Sequence, residues 1–408
     1  MPERVGARCY GAGMIAGAGV DTNSGVARYT YRLRMSASAR QALLTEWDRC
    51  RWVWNQCVAE SKRAHKAGTE CGLKHLGGRL TGWRQSQDWL KTGAQVAQQQ
   101  TVRDFTISRG KAMKDIRERL PVAARAGFPN FKKKHHADPT LEYTRNGFSL
   151  QDKLLVLAKG VVVRPVWSRP LPVPPSSVRI HRDSLGHWYG SFVVPAHAEP
   201  LPATGRSVGI DWGVRQVATT TSDEHDLAHP QHGKSAAAKL ARYQRMMARR
   251  KRAKGQRPTR GYQVAKRLAA KAHKKVARQR QQDSRVWAKT LARDFDQIVV
   301  EDFKPKFLAK STMARKAADA GIRIAKTELV NMAAKHGRHI VLVDPKYTST
   351  DCGKCGARAK HRLPLSQRTY TCEVCGQVAD RDKNAARVIL NRAGLNPCGE
   401  DGIRPSAA

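Results

Sequence analysis

Two sets of residues in this chain have the types and spacing to do chemistry. The first is sulfur. Cys352-x2-Cys355 is followed, after sixteen residues, by Cys372-x2-Cys375. Each pair can turn two thiolates onto one ion, and Gly353, Gly356 and Gly376 permit the tight turns this needs. Four sulfurs close a tetrahedron and leave no open position, so the set reads as a structural zinc site and not a catalytic one. The second set is acidic. Asp211 ends the run VGID, Glu301 ends IVVE, and Asp382 comes just before a helix expected from Asn384. A buried carboxylate is costly unless it is paired or metal-bound. Three brought together would repel, and Mg2+ or Mn2+ is the natural remedy. Two such ions about 4 Å apart can activate water and stabilise the leaving oxygen in phosphodiester hydrolysis. Separate capping by each acid is the alternative that spacing alone leaves open.

The charge balance points to what such a site would act on. The 408 residues include 75 Lys and Arg against 33 Asp and Glu, a formal net charge of +42. That excess repels itself unless a polyanion neutralises it, and nucleic acid is the obvious one. From Leu227 to Gln282 there is not one acid. Arg249, Arg250, Lys251 and Arg252 lie in one expected helical stretch, and Lys271, Lys274 and Lys275 in the next, with GQRP turning the chain between them. A solvated face would mix signs, so this reads as a helical hairpin that tracks phosphates. The loop GFPNFKKKHH adds Lys132, Lys133 and Lys134.

The elements that must position these groups are legible in outline. RYTYRLRM (Arg28 to Met35) reads as a strand, and Ser36 or Ser38 can cap the helix after it. Leu43, Trp47, Cys50, Trp54 and Cys57 recur at helical spacing as one apolar stripe. Helical composition continues, with breaks, to about Leu120. Residues 125 to 200 are β-branched, aromatic and turn-punctuated, as in a small barrel or sandwich. SVGID, FDQIVVED and RHIVLVD are short buried strands, with a helix expected from about Ala314 to His336, which indicates a mixed α/β domain. No run of 18 apolar residues exists, so no membrane helix is expected. Paired C-x-x-C motifs without a signal-peptide order fit a reducing interior, the bacterial cytoplasm.

VGIDWGVRQVA, IVVEDF and ADRDKNAARVIL, in that order, resemble the three segments of a RuvC-like nuclease, which has an RNase H fold. The cysteine ribbon before the third segment, led in by KYTSTDCGKCG, is similar to that of TnpB, the transposon-encoded RNA-guided nuclease, and of the compact type V CRISPR effectors. RYTYRLRMSASARQALL, FPNFKKK, GHWYGSFVV and the basic hairpin extend the resemblance over about residues 27 to 395. It implies a multidomain α/β chain. Residues 27–35 and 121–203 would form a β-barrel wedge domain, and 36–120 a helical recognition domain. Residues 204–346 and 377–395 would form the nuclease domain, with its basic hairpin at 236–282 and the four-cysteine zinc ribbon at 347–376 inserted. Residues 1–26 would be an extension and 396–408 a tail. Asp211, Glu301 and Asp382 match the family's metal-holding catalytic acids, and Asp380 becomes a supporting or capping acid. The implied activity is RNA-guided endonuclease cleavage of double-stranded DNA beside a short flanking motif, with guide RNA as partner and Mg2+ (or Mn2+) and Zn2+ as cofactors. A guided repressor that does not cut, and a transposase or resolvase of the same fold, remain as rivals.

Overall fold

The computed structural model describes residues 8–9, 25–134, 137–253, 255–303, 308, 311–361, 363–364 and 366–395. The expected tail, and all of the expected extension but Arg8, Cys9, Gly25 and Val26, lie outside the described residues. The chain divides into two compact units, Ala27–Pro195 and Ala196–Ala408, the latter with Met1–Val26.

Arg8–Cys9 forms a short strand, β1. In the unit Ala27–Pro195, β2 (Val26–Arg34) leads into α1 (Ala37–Lys66), α2 (Leu73–Ser86), α3 (Asp88–Lys91) and α4 (Gln95–Arg117). Six strands follow: β3 (Thr140–Thr144), β4 (Phe148–Gln151), β5 (Leu154–Leu157), β6 (Val161–Pro165), β7 (Ser177–Arg182) and β8 (Trp188–Pro195). Of the two serines expected to cap α1, Ser36 is the cap, its Oγ accepting from the Ala39 N–H at 3.1 Å. The strands make one barrel-like sheet of order β3-β7-β8-β2-β6-β5-β4. Tyr31, Leu33, Tyr143, Ile180 and Phe192 fill it, and Leu43 and Trp47 of α1 pack onto them. Trp54, one turn pair further along the stripe, belongs instead to a helical core with Leu76, Leu90, Val102 and Phe105.

In the unit Ala196–Ala408 the elements run β9 (Ser207–Trp212), β10 (Gln216–Thr220), β11 (Leu227–Ala228), α5 (His232–Arg249), α6 (Arg260–Asp294), β12 (Gln297–Glu301), α7 (Ala314–Ala320), α8 (Ile322–His336) and β13 (His339–Val343). They close with β14 (Thr369–Thr371), β15 (Val378–Asp380) and α9 (Arg381–Arg392). One mixed sheet has the order β1-β13-β12-β9-β10-β11, with β12 parallel to both β9 and β13. Strand side chains alternate between faces. Val208, Ile210, Trp212, Ile298 and Val300 pack on one face with Trp287 and Leu291 of α6 and Ile322 and Leu329 of α8. Val299, Val341 and Val343 pack on the other with Ile389 and Leu390 of α9.

Four local expectations change. The first basic helix ends at Arg249 with Arg250 as its C-cap, so Lys251 and Arg252 lie beyond it and not in one helical stretch with Arg249. The helix expected from Ala314 to His336 is two helices, because Gly321 takes φ +69° and ends α7 in a left-handed cap. The second basic helix does not stop near residue 282. It runs on to Asp294, where Trp287, Ala288 and Leu291 bury it against the sheet. The last helix starts at Arg381 and not near Asn384, because the Asp380 side chain caps it, accepting from the N–H groups of Asp382 and Lys383 at 2.9 and 3.2 Å.

Candidate nuclease site and metal centre

The register brings two of the three acids together. Ile210 of β9 is opposite Val300 of β12, so the next residue on each parallel strand, Asp211 and Glu301, stand side by side at the C-terminal ends. Alternation then fixes their direction. Ile210 and Val300 point toward α6 and α8, so Asp211 and Glu301 point toward α9.

Gly209 brings in the third acid. A Cβ there would collide with the carbonyl oxygen of Ala386 and come within 2.9 Å of Leu390 Cβ, so α9 lies directly on β9 at this point. Asp211 is two residues along the strand from Gly209, and Asp382 is one helical turn back from Ala386. Both steps span about 6 Å, so the two carboxylates reach the same end of the contact.

The electrostatics agree. Burial raises Asp211 well above the carboxylate range, and the charges of Glu301 and Asp382 push it the same way. Glu301, 5% exposed, is pushed up to about 7, chiefly by burial. Burial and then Asp380 raise Asp382, while Arg368, with Nη1 3.7 Å from its Oδ1, opposes them. Three carboxylates that are desolvated and mutually repelling form a donor set suited to divalent cations. They do not converge on one point. Among the described residues, the one group whose ligand atoms all lie within 4.8 Å of one another is the cysteine set.

Four supporting residues carried no clear sequence signal. Lys326 of α8 donates from Nζ to the carbonyls of Phe303 at 2.6 Å and Glu301 at 3.4 Å, with its ammonium 5.3 Å from the Trp212 ring centroid. Burial holds this amine down to about 8. Buried Thr348 has its Oγ1 3.1 Å from the Pro345 carbonyl, to which it donates, and 3.5 Å from Glu301 Oε2. Lys383, next to Asp382, bonds the Thr220 carbonyl at 3.0 Å and pairs with Asp223 and Asp226. Asn384 is wholly buried.

The cysteines assemble as their spacing requires. Cys352 Sγ lies 3.7 Å from Cys375 Sγ, and Cys355 Sγ 3.6 Å from Cys372 Sγ. Sulfurs about 2.3 Å from one tetrahedral ion would be about 3.8 Å apart, so the set fits a single metal. The Cys375 N–H holds the Cys372 thiol down to about 6, toward the thiolate that binds metal. The first pair is fastened to α9. The Gly353 N–H donates to Asn384 Oδ1 at 2.8 Å, Asn384 Nδ2 donates to the Asp351 carbonyl at 2.7 Å, and Asn391 Nδ2 to the Gly353 carbonyl at 2.7 Å. A Cβ at 353 would meet Arg387 Cβ at 2.8 Å.

The basic candidates divide. Arg249, Arg250, Lys251, Arg252, Lys271 and Lys275 are exposed and Lys274 is half-buried, and α5 has no buried residue. Arg250 also donates to the Gly261 carbonyl at 3.2 Å, bridging the two helices. In the other unit Lys133 is exposed and Lys134 is 3.9 Å from Asp48. Lys132 is turned inward, its ammonium 3.5 Å from the Trp54 ring centroid and 5.4 Å from that of Trp47.

Three known families match parts of the chain: "Helix-turn-helix domain" over residues 27–70, "Probable transposase" over 180–312 and "Cas12f1-like, TNB domain" over 323–389. A Streptomyces pristinaespiralis protein named "Putative RNA-guided DNA endonuclease" is 32% identical over 335 residues, 80% of this chain and 79% of that relative. The "Putative RNA-guided DNA endonuclease InsQ" of Escherichia coli (strain K12) is 27% identical over 372 residues, 86% and 88% of the two chains. Among solved structures, the protein of a Cas12f1–sgRNA–target DNA complex aligns with a TM-score of 0.53 at 13% identity, over 89% of this chain and 98% of its own. That last likeness is one of fold.

Proposed function

Because the chain belongs to the family of TnpB-like RNA-guided DNA endonucleases, we propose that it binds a guide RNA, pairs it with target DNA and hydrolyses that DNA at Asp211, Glu301 and Asp382. The observation that carries this reading is the neighbourhood of the three acids at one end of the β9–α9 contact, close enough for the charges of Glu301 and Asp382 to act on Asp211, in so basic a chain. That arrangement supports an RNase H fold of the RuvC type. A divalent cation such as Mg2+ held there would supply an activated water and neutralise the leaving oxygen. The residues of the chain do the rest. Asp211 and Glu301 offer carboxylate oxygens from two rigid strand ends, and Asp382 from a capped helix. Lys326 fixes the end of β12, and the Thr348 hydroxyl lies beside the Glu301 carboxylate. As one such acid set stands among the described residues, the two DNA strands enter it in turn. Zinc suits the four cysteines, where it stiffens the chain leading to α9 without touching the reaction. The exposed basic faces of α5 and α6 take RNA phosphates, and Lys133 and Lys134 are further phosphate contacts.

A guided repressor and a strand-joining transposase draw no support from relatives named as endonucleases over four fifths of the chain. The test is to purify the protein with its RNA, sequence that RNA, and offer a matched duplex with Mg2+ or with a chelator. RNA-dependent cutting in Mg2+ alone is expected. Cutting that does not depend on the RNA, or none at all, contradicts the reading.

A further inference from the structure

Between β13 and the first cysteine pair lies a residue that the acid site does not use. Tyr347 has φ +67°, in the left-handed region that bulky side chains rarely adopt. Its carbonyl is held by the N–H groups of Thr350 and Asp351, both at 3.0 Å, and by Thr350 Oγ1 at 3.1 Å. The next residue is Thr348, whose hydroxyl lies beside Glu301. The backbone is thus pinned beside the acids, and the ring is turned outward, leaving the residue 43% exposed. Glycine would suit this backbone better, so folding alone does not account for a tyrosine.

The surroundings of the ring are cationic. Arg358 Cζ lies over the ring 3.9 Å from its centroid, close enough to cover one face, and Lys346 Nζ also lies over the ring at 4.9 Å, on a long flexible stem that an incoming base can displace. Arg358 is itself fixed by two hydrogen bonds to Asp351, at 2.7 and 3.2 Å. Asp351 also takes Arg392 at 2.8 Å, so two guanidiniums share one carboxylate and positive charge is left over. A strained, outward aromatic ring backed by an immobilised guanidinium is a stacking surface. Bases inside a duplex have both faces covered, so the ring selects an unpaired base or a strand end.

We propose that Tyr347, backed by Arg358, is the seat on which a base of the unpaired DNA strand stacks as that strand enters the acid site, with Lys346 facing its phosphate. The identity of the strand rests on the nuclease reading above. Tyr347 is a positioning residue. It raises the fraction of time the scissile phosphate spends at the acids and leaves guide pairing unaffected.

The experiment uses the protein loaded with its guide RNA. In Ca2+, so that DNA binds uncut, 2-aminopurine is walked along the target strands around the cut position mapped in Mg2+. Fluorescence should be quenched at one position by the parent and by Tyr347→Phe, and released in Tyr347→Ala and Tyr347→Gly. In Mg2+, single-turnover cleavage by the Ala and Gly variants should slow roughly tenfold with target binding unchanged, while Phe stays near the parent. Tyr347→Gly relieves the backbone and should melt no lower than the parent, which separates stacking from folding. If the Ala and Gly variants quench and cut as Phe does, the seat is refuted while cleavage itself stands. If the parent does not cut, the nuclease reading fails, and quenching scanned along the whole of both target strands still decides whether the ring stacks.

Discussion

Asn384 accepts a hydrogen bond from the main-chain N–H of Gly353 at 2.8 Å and has no exposed surface. Asn384 is two residues past Asp382, and Gly353 follows Cys352. One amide therefore joins the helix that presents the third acid to the turn that presents the first sulfur. Asn384→Ala leaves the Gly353 N–H and the Asp351 carbonyl unpaired, which costs about 1–3 kcal/mol for each buried group. Cleavage and melting temperature should fall together while zinc stays near one per chain by metal analysis. Full activity in the variant would mean that the ribbon and α9 work independently.

Gly209 tests the packing that brings the acids together. Gly209→Ala drives a methyl group into the Ala386 carbonyl and Leu390, and neither strand nor helix can yield without moving Asp211 away from Asp382. Overpacking of this kind costs about 1–3 kcal/mol. Cleavage should be lost with RNA binding intact, read by parallel cutting and filter-binding assays. Parental cutting would show that α9 tolerates a shift away from β9.

The acid-free stretch from Leu227 to Gln282, which spans α5 and most of α6, should carry the salt-dependent part of RNA affinity. Changing Arg249, Arg250 and Arg252 to Glu should weaken RNA binding and flatten its dependence on salt, since each lost phosphate contact removes about 0.7 to 0.9 from the log–log slope. A salt series on parent and variant checks this. Equal slopes would assign the hairpin another task.

Much of the site was legible because its chemistry is local. Acids at the ends of buried runs in a +42 chain stand out, and paired C-x-x-C motifs declare their geometry. The Ser36 cap and the Leu43–Cys57 stripe follow from short-range rules. What escaped depends on tertiary contact or backbone angle. Tyr347 looks like any tyrosine until φ is known. Asn384 takes its meaning from Gly353, 31 residues away. Lys326 did leave a trace, standing beside Ile322, Ala325 and Leu329 on the buried stripe of α8. The Gly321 break was also readable, as a glycine within a helical pattern. The run of α6 to Asp294 was masked by the density of charge before Trp287.

A latch at the end of α6 sets a pH dependence of folding. Asp294 is held down to about 2 by its hydrogen bond with Arg293, with help from His225 Nε2 at 2.9 Å. A carboxyl depressed in the folded state stabilises it above its unfolded value near 4, and that stability is lost as pH falls toward 2. Arg293 is largely exposed and solvent screens the pair, so the contribution is at most about 1 kcal/mol. Asp294→Asn should be less stable than the parent by about that amount at pH 7, and the gap should close between pH 4 and 2. Denaturant melts across that range measure it, and a gap that persists at pH 2 would place the effect in packing.

The most direct test of the whole account is strand-resolved cleavage of a guide-matched duplex by Asp211→Ala in Mg2+, with RNA and target binding measured on the same samples. The one set of acids among the described residues predicts that both strands stay uncut while RNA and DNA are bound as in the parent, and that Asp380→Ala, which loses a helix cap and one charge beside Asp382, does much less. Continued cutting of either strand by Asp211→Ala would contradict it.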